Sequence, residues 1–168
     1  MSIPILGFAA ASGTGKTTLL TQLLPLLKKE GLRVGLIKHS HHDFEIDYAG
    51  KDSFELRKAG ATPVLLVSKY RRAIIEEFEN QPEPNLFDQI ALFNPEKTDL
   101  ILVEGFRNEA IAKIELHRAG LNKPLLFLHD PHIIAVATDK NLPTDLPQLN
   151  LNQPTEIADF ILHHFLKL

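Results

Sequence analysis

The stretch that most constrains this chain runs from Ile3 to Leu20, IPILGFAAASGTGKTTLL. An apolar run breaks into Ser12-Gly13-Thr14-Gly15-Lys16-Thr17-Thr18 and then turns apolar again. A buried strand, a glycine-rich loop and a helix start, in that order, make a phosphate-binding loop. Gly13 and Gly15 let successive backbone N–H groups face one anion, and the helix N-terminus behind them adds partial positive charge. Lys16 can reach the β- and γ-phosphates, and the Thr17 hydroxyl can ligate Mg²⁺. Ser12, Gly13, Thr14, Gly15, Lys16, Thr17 and Thr18 are therefore the expected nucleotide-binding residues. The pattern G-x-x-x-x-G-K-[ST] asks for glycine at position 10, where this chain has Ala10. Alanine holds that turn when its φ is negative, so we read a variant loop. The plainer alternative is an ordinary glycine-rich turn with an incidental lysine.

The chain has 168 residues with 44% hydrophobic content, which suits a single domain spanning 1–168. Its net charge of −3 and pI near 6.2 give no basic field for nucleic acid or an anionic membrane. It has no cysteine, which excludes disulfides and thiolate metal sites. No apolar run reaches membrane-spanning length and no leader segment precedes the first strand, so a cytoplasmic protein is expected.

A first helix is expected from about Lys16 to Lys29, striped by Leu19, Leu20, Leu23, Leu24 and Leu27. Pro25 should kink or break it. Leu32 to Lys38 reads as a second buried strand. Asp52-Ser53-Phe54-Glu55 reads as a capping box opening a short helix that ends at Gly60. Thr62 to Val67 and Arg71 to Phe78 read as a hairpin extension, 62–78. Asn85 caps a further helix, and Thr98 to Val103 is a third apolar strand. Ile111 to His117, Leu125 to Leu128 and Ile133 to Ala137 read as shorter strands. A proline-punctuated loop then leads to a last helix, Thr155 to Leu168. Strands alternating with helices argue for an α/β fold of the P-loop NTPase type. Its sheet is mainly parallel, with helices on both faces and an antiparallel hairpin extension.

A phosphate loop needs an acidic partner at a neighbouring strand end to hold Mg²⁺. Glu104 sits where the third strand runs out, whereas Asp99 lies about 15 Å away at its other end. Glu104 is thus the expected metal partner beside Thr17, with Gly105 turning the chain sharply after it. The second strand ends in His39-Ser40-His41-His42-Asp43, which carries three readings. It is a metal site, a switch-like loop in which Asp43 touches Mg²⁺ or the attacking water and the histidines meet substrate or partner, or a polar loop with incidental histidines. Lys16, Asp43 and Glu104 are the candidate catalytic residues. Lys38, Lys51, Arg57, Arg71, Arg72, Arg107 and Lys113 are further cations that could meet phosphate. Asn122-Lys123-Pro124-Leu125 lacks the aspartate of the common guanine signature, so Asp139 is the candidate base contact. A simple turn aspartate is the alternative.

FAAASGTGKTTLL, GLIKHSHHDFEIDYAGKDSFELRKAGA and DLILVEGF together resemble the molybdopterin-guanine dinucleotide biosynthesis adaptor protein B family over residues 3–118. The resemblance implies a homodimeric P-loop protein that binds GTP with Mg²⁺ and hydrolyses it weakly. Such proteins are thought to assist the nucleotidyltransferase that attaches GMP to molybdopterin. The implied partners are GTP, molybdopterin or that enzyme, with no nucleic acid and no membrane. Two rival classes share the loop. A small-molecule or nucleoside kinase would need an acceptor site and an arginine-bearing lid, and a GTP-dependent metallochaperone would rest on the histidine cluster.

Overall fold

The computed structural model describes residues 2–40, 43–79 and 82–168. The chain divides into two compact units, Met1–His39 with Asn85–Leu168, and Ser40–Pro84.

The first unit is built on a six-stranded parallel sheet. Its strands are β1 (Ile5–Ala10), β2 (Val34–Lys38), β5 (Leu100–Glu104), β6 (Lys113–His117), β7 (Ile133–Thr138) and β8 (Gln148–Asn150). They lie in the order β2-β5-β1-β6-β7-β8, every neighbouring pair parallel. β1 is thus central, and from it the chain winds first to one side and later to the other. Ligands of such sheets gather at that reversal, outside the carboxyl ends of the strands.

Side chains alternate across the sheet and feed two cores. Leu6, Phe8, Leu100, Leu102, Ile114, Leu116, Ala135 and Ala137 pack on one face against α1 (Lys16–Lys29) and α4 (Pro154–Asp159). Ile101, Val103 and Ile37 pack on the other against Leu86 of α3 (Leu86–Ile90). Apolar cover on both faces is what the unbroken apolar runs of β1 and β5 demand. α1 runs through Pro25 without a break, because proline in its last turns removes one donor and leaves the Leu19, Leu23 and Leu27 stripe in place. Asn85 caps α3 as expected, its Oδ1 accepting from Phe87 N–H at 2.8 Å.

Three further expectations for this unit are corrected. Leu125 to Leu128 is not a strand. The Leu126 and Phe127 N–H groups instead donate to the buried Glu115 carboxylate, both at 2.8 Å, and are lost to any ladder. Burial pushes the Glu115 carboxyl above its usual range despite those two bonds. β8 lies within the stretch read as a proline-punctuated loop. The last helix changes to π geometry at Phe160–Phe165.

Asp99, set aside as a metal ligand, is held by Arg33 at the far end of β5. Guanidinium Nη2 and Nε donate to Oδ1 and Oδ2 at 2.7 and 2.8 Å, and the Arg33 N–H adds a bond of 2.7 Å. The Arg33 side-chain bonds are the largest cause holding the Asp99 carboxyl down to about 2. A folded value below the unfolded value of about 3.9 stabilises above that pH and is lost as pH falls toward about 2. Asp99→Asn should therefore lose less stability than wild type between pH 4 and 2. Urea midpoints at pH 5, 3 and 2 check this, and equal losses in both proteins would contradict it.

The second unit holds α2 (Asp52–Lys58) and the antiparallel hairpin of β3 (Val64–Val67) with β4 (Arg72–Ile75). Its turn is held by Ser68 Oγ, which accepts from the N–H groups of Tyr70 and Arg71 at 3.2 Å. The capping box is corrected: Lys51 is the N-cap residue, Asp52 lies inside the first turn, and Glu55 accepts from Gly50 N–H at 3.1 Å. Gly60, with φ of +107°, terminates α2 as expected. Arg57 is buried and bonds Asp47 Oδ1 at 2.8 Å, with Glu45 and Glu77 on the same guanidinium.

Candidate functional site

The glycine-rich loop follows the central strand directly. Gly13 (φ +81°) and Gly15 (φ +96°) both take left-handed backbone that other residues rarely adopt. Between them Thr14 is buried, its hydroxyl donating to Ala11 O at 2.8 Å. Gly15 is the N-cap residue of α1, with no side-chain cap and no acidic residue in the first turn. The orphan N–H groups of a 14-residue helix thus remain uncapped by side chains, beside a loop rich in backbone donors.

The alternation of β5 settles where Glu104 points. Leu100 and Leu102 face α1, so Glu104 faces α1 too, and its neighbour Val103 faces the opposite core. Parallel pairing sets Glu104 beside Phe8 of β1 and Lys38 of β2. Its carboxylate is mostly buried, with Oε1 3.4 Å from Lys16 Nζ and Oε2 4.0 Å from Lys38 Nζ. The strand-end carboxylate therefore meets the loop lysine, and Lys38 joins the same rim.

The exposed Thr17 hydroxyl and the Glu104 carboxylate are hard oxygen donors. Mg²⁺ takes one or two protein oxygens of this kind and completes its shell with water and phosphate, so this donor chemistry fits that ion.

A second part of the site was missed in the sequence. Arg118 follows β6 immediately, and β6 is the direct neighbour of β1. Its guanidinium lies 3.4 Å from Thr14 O, 3.4 and 3.5 Å from Asn152 Oδ1, and 3.5 Å from Asp139 Oδ2. Arg118 and Asn152 wall a cleft of about 260 Å³ with Gly13, Thr14, Gly15 and Thr18. Asn152 also lines an adjoining cleft of about 410 Å³ with Asp139, Asn141 and Asn150. Asp139 follows β7, and its Oδ1 accepts from Ala119 N–H at 2.9 Å, leaving Oδ2 toward Arg118. The two clefts share Asn152, and the Arg118 guanidinium lies within 3.5 Å of both Thr14 in the phosphate loop and Asp139.

The family described as "Molybdopterin guanine dinucleotide synthesis protein B" matches residues 5–139. The chain belongs to that family. A relative from Escherichia coli, "Molybdopterin-guanine dinucleotide biosynthesis adapter protein", is 48% identical over 95% of this chain and 92% of its own length. One of the same description from Haemophilus influenzae is 46% identical over 97% of this chain and 92% of its own length. A crystal structure of molybdopterin-guanine biosynthesis protein B superposes with a TM-score of 0.74 at 28% identity, covering 95% and 97% of the two chains. A Bacillus subtilis MobB structure gives a TM-score of 0.71 at 21% identity, over 95% of both chains, and shows the shared fold.

The remaining candidates of this family member fall in several places. His39 stacks on Phe106 with ring centroids 4.6 Å apart, and Phe106 packs on the core opposite α1. His41 and His42 lie outside the described residues. Asp43 is exposed and belongs to the second unit. Among the described residues no group of three or more His, Asp or Glu is placed to hold a metal ion.

The further cations separate by their partners. Arg107 Nη2 donates to Ala10 O at 3.2 Å, where β1 enters the loop. Lys113 is not a phosphate ligand, since it is buried against Asp130 at 2.8 Å and Glu109 O at 2.6 Å. Arg57 is likewise taken up by its three carboxylates. Arg72 is a strand residue of β4, and Arg71 stands in the hairpin turn before it. No helix among the described residues is long and apolar enough to cross a membrane.

Proposed function

We propose that this chain is a GTP-binding adapter in the synthesis of molybdopterin guanine dinucleotide, with weak GTPase activity in an accessory role. The observation that carries this reading is the meeting of Lys16 with Glu104 at the carboxyl end of the central strands, 3.4 Å apart beside uncapped helix N–H groups. The loop N–H groups and Lys16 bind the phosphates, and Asp139 accepts from the N1 and N2 groups of guanine. Thr17 and Glu104 would hold Mg²⁺, which neutralises phosphate charge when bound. The names of the relatives support the pathway, and molybdopterin or its nucleotidyltransferase is the proposed partner.

A homodimer in the cytoplasm is the proposed state. The hairpin supports the dimer, because Leu65, Leu66, Val67 and Ile74 are exposed on a two-stranded sheet. An isolated pair of this kind is marginal in water and its edges invite pairing.

Calorimetric titration with GTP, ATP and their non-hydrolysable analogues, with and without Mg²⁺, tests the reading. We expect Mg²⁺-dependent binding that favours GTP. Preference for ATP, with turnover only when an acceptor is added, would overturn the adapter reading in favour of a kinase.

A further inference from the structure

Arg118 has an arrangement that a purely structural arginine lacks. Its three guanidinium nitrogens make four contacts, to Thr14 O, to Asn152 Oδ1 twice and to Asp139 Oδ2, all between 3.4 and 3.5 Å. These contacts sit at the outer limit for hydrogen bonds, where the interaction is weak. Arg33 in the same chain shows the contrast, with bonds of 2.7 and 2.8 Å to Asp99. The Arg118 side chain is also about one-third exposed, at 35%, on the wall of the cleft that holds Gly13, Gly15 and Thr18. A Cβ built on Gly15 would lie 3.8 Å from Arg118 Nη2, so the guanidinium stands against the loop itself.

The partners of that guanidinium belong to two different tasks. Thr14 is a phosphate-loop residue, Asp139 lines the adjoining cleft, and Asn152 lines both. Asp139 Oδ1 is already engaged by Ala119 N–H, so Oδ2 is the oxygen left to read a base. While Arg118 faces Oδ2 it competes with any base donor for that atom. A phosphate oxygen is a stronger partner for a guanidinium than contacts of this length, because the bond is charge-assisted and can be bidentate.

We propose that Arg118 couples phosphate recognition to base recognition, exchanging Asp139 and Asn152 for the phosphate nearest the ribose. The exchange frees Asp139 Oδ2 and Asn152 Oδ1 as acceptors. Guanine offers N1–H and N2–H₂ donors to them, whereas adenine presents an acceptor at N1. Discrimination between the bases therefore grows when a phosphate is present. This inference rests on the nucleotide reading above and adds a specificity-determining residue to it.

The test is competition against a fluorescent GDP analogue on the full chain, in Mg²⁺, with guanosine, adenosine, GMP and AMP. Wild type, Arg118→Ala and Arg118→Lys are compared, and thermal unfolding checks that each is folded. In wild type the guanine-over-adenine ratio should be about five-fold or more larger for the monophosphates than for the nucleosides. In Arg118→Ala the two ratios should coincide. Arg118→Lys should retain phosphate affinity better than alanine and recover only part of the difference, since an ammonium lacks the planar fork. An undiminished difference in Arg118→Ala, or equal ratios in wild type, overturns the coupling while the nucleotide reading stands. Wild type that binds neither the analogue nor GTP overturns both.

Discussion

Lys16→Ala should abolish measurable GTP binding and hydrolysis while leaving the fold intact. Two effects act in the same direction. The variant removes the ammonium proposed to meet the phosphates, and of the two lysines beside Glu104 among the described residues it leaves Lys38, 4.0 Å away. The rim then presents a poorly compensated carboxylate to an incoming polyanion. A charge pair about 4 Å apart near a protein surface is worth roughly 4 kcal/mol, so the loss of affinity should be of the order of 1,000-fold. The fold should not follow, because Lys16 precedes the buried stripe of α1 that begins at Leu19. Calorimetry gives the affinity, and thermal unfolding of the same samples should show an unchanged midpoint. GTP affinity and turnover equal to wild type would contradict the phosphate-loop assignment.

What was legible in the sequence follows from how local each signal is. The loop could be read because Gly13, Gly15 and Lys16 act within a few residues of one another. Glu104 could be read because a strand that runs out of apolar residues ends at the rim, and alternation from Leu102 then fixes its face. Arg118 could not be read this way. Its importance depends on β6 lying beside β1, a pairing between segments about a hundred residues apart. The available signal was its position directly after the apolar strand IAKIELH, the same signal that singled out Glu104 and Asp139.

The errors in the fold have two separate physical origins. Leu125 to Leu128 carries the composition of a strand, yet the Glu115 carboxylate of β6 claims two of its N–H groups. β8 is short and flanked by Pro147 and Pro154, which mask the alternation of Leu149 and Leu151. Its register against β7 brings Asn150 beside Thr138, and so carries Asn152 toward Asp139. The missed strand therefore builds the same wall as the missed arginine.

Gly105→Ala should damage both stability and the site, because the residue after Glu104 has no room for a side chain. Its φ is +96°, which costs a non-glycine residue of the order of 1–2 kcal/mol. A Cβ there would also lie 2.6 Å from His39 Cβ and 3.3 Å from the His39 backbone. His39 cannot give way freely. Its N–H donates to Glu104 O at 2.8 Å, tying the ends of β2 and β5, and its ring stacks on Phe106. Gly31→Ala is the matched control, since Gly31 has φ of +85° with nothing within 4 Å of an added Cβ. The control isolates backbone strain, so the excess loss in Gly105→Ala measures the crowding. We expect roughly 1–3 kcal/mol beyond the control, a fall in melting temperature of roughly 2–10 °C. Because the displaced bond is the one made by the Glu104 carbonyl, Gly105→Ala should also weaken the Mg²⁺ dependence of GTP binding, while Gly31→Ala leaves it unchanged. Equal losses in the two variants, with identical Mg²⁺ titrations, would show that the turn after β5 neither crowds His39 nor positions Glu104.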